Sequence, residues 1–381
     1  MSPCSRRKMT ENSHPGLYVH VPFCKTKCPY CDFTSVPSLS SIPDWLAGIK
    51  KEMGLYRDRL PPFDSLYLGG GTPSVLSAQD FSDLVRSLRR TFSFLDDVEF
   101  TVEINPDDVT SDQALLLRDL GVNRVSLGVQ SLDDRDLGFL KRRHTADQAL
   151  RAIETFKTQG FATLGLDLMY GLPGQRESSW MKTLERAVSC SPEHLSCYQL
   201  TIHESTPFGE LRKTGKIPPL TEDKEGSFFL LTSAFLEEKG YIHYEVSNFA
   251  KGEENLCRHN LKYWKRTSSL GLGPSAHSYQ DGVRWWNLRE LQAYARALEQ
   301  GKPPLAGEET LTQEQVYLET LLLGFRTREG VDAEALTARK GSREVLKHLQ
   351  QAGVVEVVKG KVVPTVKGFL LADSLPLLFA E

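Results

Sequence analysis

A chain of 381 residues with a formal net charge of −3 can bury two cores, or one large α/β unit with an appendage, and lacks the basic excess that would hold a polyanion or an anionic membrane. Its seven cysteines, an odd number with three clustered, point to a reducing compartment and to metal or redox chemistry instead of a disulfide framework. No apolar run approaches the roughly 18–20 residues a membrane helix needs, and residues 1–16 read as a tail without the apolar core of a leader, so a soluble, cytoplasmic protein is expected, with a mitochondrial address as the alternative.

Runs rich in Val, Leu, Ile, Tyr and Phe follow in order: LYVHV (17–21), SLYLG (65–69), EFTVEI (99–104), RVSLGV (124–129), LGLDLMY (164–170) and LSCYQL (195–200). Helix-period stretches lie between them, over 43–59, 77–91, 145–159 and 177–189. Such alternation predicts parallel strands joined by helical crossovers. Six units fall short of the eight of a closed barrel, so a partial (β/α)6 barrel over 17–221 is expected, with a doubly wound sheet as the alternative. A connecting region over 222–303 begins with a long helix (222–239), becomes loop-rich to about 290 and ends in another helix, and GKPPLAGEE reads as a linker. Over 304–381, helices precede two Val-rich runs flanking Gly360, which predicts a small α+β, winged-helix-like domain. Without a basic stripe this end reads as a docking or lid module, and no nucleic-acid partner is expected.

Directly after the first predicted strand stands CKTKCPYC. Cys24, Cys28 and Cys31 have C-x3-C-x2-C spacing, and Pro22 and Pro29 keep the stretch from closing into a regular helix. A structural zinc would need a fourth close ligand, for which His20 is available; a Cys28–Cys31 dithiol is the redox reading. A 4Fe-4S cube takes one ligand per iron, so three cysteines leave one iron open for a further ligand. Gly69, Gly70 and Gly71 with Thr72 and Pro73 follow the second strand, where backbone can approach a ligand closely. Glu103, Gln130 and Asp167 end the next strands and converge on the same mouth. Arg142, in KRRH, is suited to a charge-assisted pair with a ligand carboxylate.

The cysteine spacing resembles that of the radical S-adenosylmethionine (radical SAM) superfamily. Taken with GGGTP, EINP, GVQS, DLMYGLPGQ, HNLKYW, GLGPSAHS and the C-terminal module, the chain resembles the oxygen-independent coproporphyrinogen III oxidase family, most closely its haem-chaperone branch. The resemblance implies a 4Fe-4S cluster on Cys24, Cys28 and Cys31. It implies S-adenosylmethionine contacts from Tyr18, Tyr30, Gly70, Gly71, Thr72, Glu103, Gln130, Arg142 and Asp167, with Thr201 and His277 as further candidates.

Two departures separate the chain from the oxidases of this family. They resemble C-x3-C-x2-C-x-C, whereas Phe33 stands at the last position here, and their N-terminal extension is longer than the 16 or so residues before the first strand. HNLKYW resembles a haem-binding motif, which implies His259 as the first choice of iron ligand, Cys257 and His277 behind it, and Tyr263 and Trp264 packing on the macrocycle. The expectation is therefore a carrier and not an enzyme. It would bind haem and pass it to an acceptor protein, with cluster occupancy gating release. Self-association as a homodimer is allowed, and membrane association would come only through the acceptor. Oxidative decarboxylation of coproporphyrinogen is the alternative.

Overall fold

Six strands alternate with helices where the sequence predicts them. They are β1 (Gly16–Val21), β2 (Phe63–Gly70), β3 (Phe94–Ile104), β4 (Arg124–Gln130), β5 (Thr163–Tyr170) and β6 (His194–Gln199). The computed structural model describes residues 14–379; Cys4 and most of the expected tail lie outside the described residues. Neighbours from β1 to β6 pair in parallel. One face of these strands packs Leu17, Val19, Leu66, Leu68, Leu164 and Leu166 into the core, while alternate residues such as Tyr67, Ser126 and Asp167 turn to the other face and line a cavity. Crossover helices begin at local caps: Ser77 accepts from the Asp80 amide, and Thr145 forms a reciprocal box with Gln148.

The sheet is wider than six strands. β7 (Ile242–Glu245) and β8 (Asn248–Ala250) extend it beyond β6. On the other side β9 (Ser269–Leu272), β10 (His277–Gln280), β11 (Val283–Asn287) and β12 (Leu305–Thr310) extend it beyond β1. β9 runs parallel to β1, and the remaining flanking pairs are antiparallel. β1 and β6 do not meet, so the six parallel units stay open as a partial barrel.

The stretch to residue 290, expected to be loop-rich, thus supplies five strands. The segment read as a linker holds β12. These strands are short, and β12 carries glycine and acids because it is an edge whose Glu309 pairs with Arg284 at 2.6 Å; charge on an edge strand discourages further pairing.

The C-terminal end has its own core, including Leu321, Phe325, Leu336, Leu346, Val355 and Phe379. Helices Gln313–Gly324, Ala333–Thr337 and Ser342–Gln351 surround a small antiparallel sheet of β13 (Val331–Asp332), β14 (Val355–Val358) and β15 (Lys361–Pro364), in the order β13-β15-β14. Lys359 and Gly360, with φ of 50° and 78°, turn the hairpin. The module docks on β7 through hydrogen bonds from Val246 N to Arg326 O (3.0 Å) and from Arg328 N to Tyr244 O (3.0 Å).

Candidate functional site

The loop after β1 leaves the sheet and is pinned at its base, where Val36 N donates to Pro22 O (2.8 Å) and Cys24 N to Val36 O (3.2 Å). Its three half-buried thiols line a cavity of about 580 Å³ at the C-terminal ends of the parallel strands. The Thr72 hydroxyl donates to Cys24 Sγ (3.4 Å), and Arg142 Nη1 donates to Cys28 Sγ (3.5 Å). Burial pushes the Cys31 thiol up, and the neighbouring Cys28 and Cys24 add to the shift.

His20 is not placed to complete a zinc site. Its Nε2 pairs with Thr34 O (2.8 Å) and its Nδ1 with the Tyr18 hydroxyl (3.1 Å). Among the described residues no three Cys, His or acidic groups converge tightly enough to share one ion, and a cube with one thiolate per iron does not ask that of them. Three neighbouring thiols on one cavity wall, two of them already accepting hydrogen bonds, fit such a cluster.

The floor is built from the β2 turn. Gly71 N donates to Val21 O (2.9 Å) and Thr72 N to Phe23 O (2.7 Å), so the turn lies against the start of the cysteine loop. A Cβ on Gly71 would sit 2.6 Å from both carbonyl oxygens, and Gly70 has φ of 103°, a conformation that glycine adopts freely.

Glu103 accepts from the Tyr67 hydroxyl (2.8 Å) and from Gly70 N (3.0 Å), and burial raises its carboxyl to about 7. Asp167 accepts from Ser126 Oγ (2.9 Å) and is likewise raised by burial. Gln130 ends β4 with φ of 64°, beside a register shift between β4 and β5; a non-glycine residue held there is local strain of the kind that collects at ligand sites. Arg142 donates through Nη2 to Asn105 Oδ1 (2.5 Å) and Gly128 O (2.9 Å), while its buried Nε has no partner among the described residues.

Tyr30, Gly70, Gly71, Thr72, Glu103, Gln130, Arg142, Asp167 and Thr201 all line this first cavity. Tyr18 and His277 do not; they line a second cavity of about 620 Å³, which shares Asp32, Phe33, Gly70 and Glu103 with the first. Sequence reasoning passed over Asn105, which fixes Arg142, and Tyr67 and Ser126, which hold the two carboxylates. Asn105 was within reach, two residues beyond Glu103 in EINP. Tyr67 looked like any strand aromatic.

HNLKYW forms the short helix Arg258–Trp264, whose first amides, Arg258 N and His259 N, donate to Glu99 (3.0 and 2.9 Å). His259 is 1% exposed. Its Nδ1 pairs with Ser65 Oγ (3.0 Å), its Nε2 with the Tyr263 hydroxyl (2.9 Å), and burial, with Lys262 beside it, pushes the ring down to about 3. As placed, the imidazole has no free nitrogen to offer. Cys257 lies on the wall of the first cavity, its thiol pushed up to about 12 by burial and by Glu99. Tyr263 is 42% exposed and turns that face into the second cavity; Trp264 lines neither.

Residues 18–187 match the Radical SAM superfamily, and residues 311–371 match the HemN C-terminal domain. The heme chaperone HemW of Mycobacterium tuberculosis (strain ATCC 25618 / H37Rv) is 35% identical over 367 residues, covering 94% of this chain and 93% of that protein. That of Bacillus subtilis (strain 168) is 32% identical over 372 residues, covering 94% and 97%. The chain belongs to the HemW family. Coproporphyrinogen III oxidase (HemN) from Escherichia coli, a radical SAM enzyme, superimposes with a TM-score of 0.82 at 24% identity, covering 96% of this chain and 90% of that one. The oxidase and the HemW family thus share the fold. Among the described residues no helix is long and apolar enough to cross a membrane.

Proposed function

We propose that this chain is a haem carrier that binds haem and hands it to an acceptor protein, with a 4Fe-4S cluster on Cys24, Cys28 and Cys31 and S-adenosylmethionine on the open iron. The observation that carries the reading is its end-to-end likeness to heme chaperones, 94% of the chain at 35% identity. Phe33, where the oxidases' extra cysteine would stand, supports carriage over decarboxylation.

When bound, a cluster of this kind supplies one-electron chemistry and an iron that chelates an amino acid end. Around it, Arg142 has a spare Nε–H for a carboxylate, Gly70 and Gly71 keep side chains out of the way, and Glu103 would accept from the N–H of an amino group. Asp167, held by Ser126, is suited to accept from ribose hydroxyls. The acceptor protein is the second partner; the C-terminal module is a docking element for it, and the cytoplasm the place of work. Self-association remains part of the proposal only as a route by which cluster loading alters haem release.

Haemin titration of the full-length protein, followed by mixing with apo-acceptor, tests the reading. Stoichiometric binding and subsequent transfer are expected. Anaerobic turnover of coproporphyrinogen by the reconstituted protein would instead make it an oxidase.

A further inference from the structure

Three histidines bear on where haem iron is held, and their ring nitrogens are differently placed. Both nitrogens of His259 are engaged, and so are both nitrogens of His20. His277 is exposed on the wall of the second cavity, and among the described residues neither of its nitrogens has a hydrogen-bond partner. Burial, with Arg284 adding to it, moves its pKa below the ordinary value, so at neutral pH the imidazole has a lone pair to give.

The surroundings of His277 suit a flat apolar ligand with acidic arms. His277 on β10 stands directly opposite Trp286 on β11, and their rings stack at 6.0 Å and 22°. Trp286 in turn lies over Gly307 of β12, where an added Cβ would fall 2.4 Å from the indole. The segment expected to be a linker therefore seats this indole. Phe33, 67% exposed, lines the same cavity. Arg289 reaches the rim and donates to Asp32 O at 3.3 Å, leaving further guanidinium hydrogens to pair with a carboxylate. A volume of about 620 Å³ is within the usual range of roughly 300–1,000 Å³ for small-molecule and cofactor sites.

We infer that haem is carried in this second cavity, with His277 as the iron's axial ligand, Trp286 stacked behind the imidazole to orient it, Phe33 as a packing face and Arg289 as a propionate partner. His259 is then a positioning residue that holds the Tyr263 hydroxyl at the cavity edge. The inference rests on the haem-carrier reading above and names the site at which that cargo sits. It also ties the two cavities together. Asp32 and Phe33 directly follow Cys31, and Asp32 is held by Ser205 Oγ at 2.7 Å, so the loop that offers the cluster thiolates is one wall of the haem site.

The experiment is haemin titration of the full-length chain, read by Soret position and by low-temperature electron paramagnetic resonance. His277→Ala should weaken binding at least tenfold and shift the Soret band, and added imidazole should restore the wild-type spectrum. His259→Ala should weaken binding less and keep the imidazole signature. Gly307→Val, which leaves His277 in place but pushes Trp286 aside, should weaken binding several-fold with the signature kept. Wild-type affinity and Soret position in His277→Ala, or loss of the imidazole signature in His259→Ala alone, would overturn the assignment. If the wild-type protein takes up no haemin, the carrier reading itself falls, and the site falls with it.

Discussion

The first cavity is walled by thiols, carboxylates, an arginine and glycine backbone, and its charged groups are held by neighbouring residues: Glu103 by Tyr67 and Gly70, Asp167 by Ser126, Arg142 by Asn105 and Gly128. The second shares Asp32 and Glu103 with it but is richer in rings, Tyr18, Phe33, Tyr263, His277 and Trp286, and there His277 is an imidazole without a hydrogen-bond partner among the described residues, with Arg289 at the rim. A small charged ligand is recognised by polar groups that cannot reorient, because unpaired buried charge is expensive. A large planar ligand is recognised by ring faces, which need area more than exact hydrogen bonds. Phe33 and Glu103 belong to both walls, so a change in the cysteine loop reaches the aromatic side without any long-range relay.

Removing the thiolates should break the first cavity outright. Replacing Cys24, Cys28 and Cys31 with Ala should abolish iron and acid-labile sulfide after anaerobic reconstitution, while haemin affinity falls only a few-fold through the loosened Phe33 wall. Transfer to an acceptor at the wild-type rate in this variant would rule out gating by the cluster.

Gly71→Ala tests whether the glycine turn is a fixed part of that cavity. With two carbonyl oxygens 2.6 Å from the new methyl carbon, either the turn or the start of the cysteine loop must move. A loss of stability of about 2–3 kcal/mol is expected in urea unfolding. A loss below about 0.5 kcal/mol would mean that the loop yields readily and that the pinned geometry described above is not needed.

Glu103 sharpens the contrast through pH. With its carboxyl raised to about 7 by burial, the ionised fraction grows from roughly a tenth at pH 6 to nine-tenths at pH 8. An amino N–H is accepted better by the ionised carboxylate than by the protonated carboxyl, so S-adenosylmethionine affinity should rise up to about tenfold across that interval. Equilibrium dialysis at both pH values checks this, and Glu103→Gln should flatten the profile.

The parallel core was legible because each strand carries its own signal. Runs such as LYVHV and LGLDLMY place Leu and Val at every second position, giving one continuous apolar face, and the cap and stop residues between them are local. The cysteine spacing and the strand-end polar residues were legible for the same reason. The flanking strands were not: three to six residues such as Asn248–Ala250 or His277–Gln280 carry too little periodicity, and they pair because β6 and β1 leave open edges. The reach of HNLKYW was hidden by the third dimension. Nothing local says that Ser65, 194 positions away, accepts His259 as a partner, or that Gly307 makes room for Trp286.

The smallest effect expected concerns the far edge of the sheet, away from both cavities. His243 on β7 stacks on Phe249 at 4.1 Å and packs at 4.9 Å against Phe369 of the C-terminal module, with Nδ1 paired to Ser233 Oγ at 2.9 Å. Burial lowers its pKa to about 4, below the roughly 6.5 of an unfolded-chain histidine. Between those values the unfolded chain holds the extra proton, so the stability this residue contributes is complete above pH 6.5 and is lost as pH falls towards 4. Buried Glu52, Glu103 and Glu245, each raised to about 7, act in the opposite sense, and the wild-type profile alone therefore does not isolate the histidine. The difference between wild type and His243→Gln does, because the glutamates are common to both. On going from pH 7.5 to 5.5, the variant should gain about 1 kcal/mol relative to wild type in urea unfolding. A constant difference across that range would mean that the ring already takes its proton in the folded module, and that the seam between β7 and the C-terminal core is open to water.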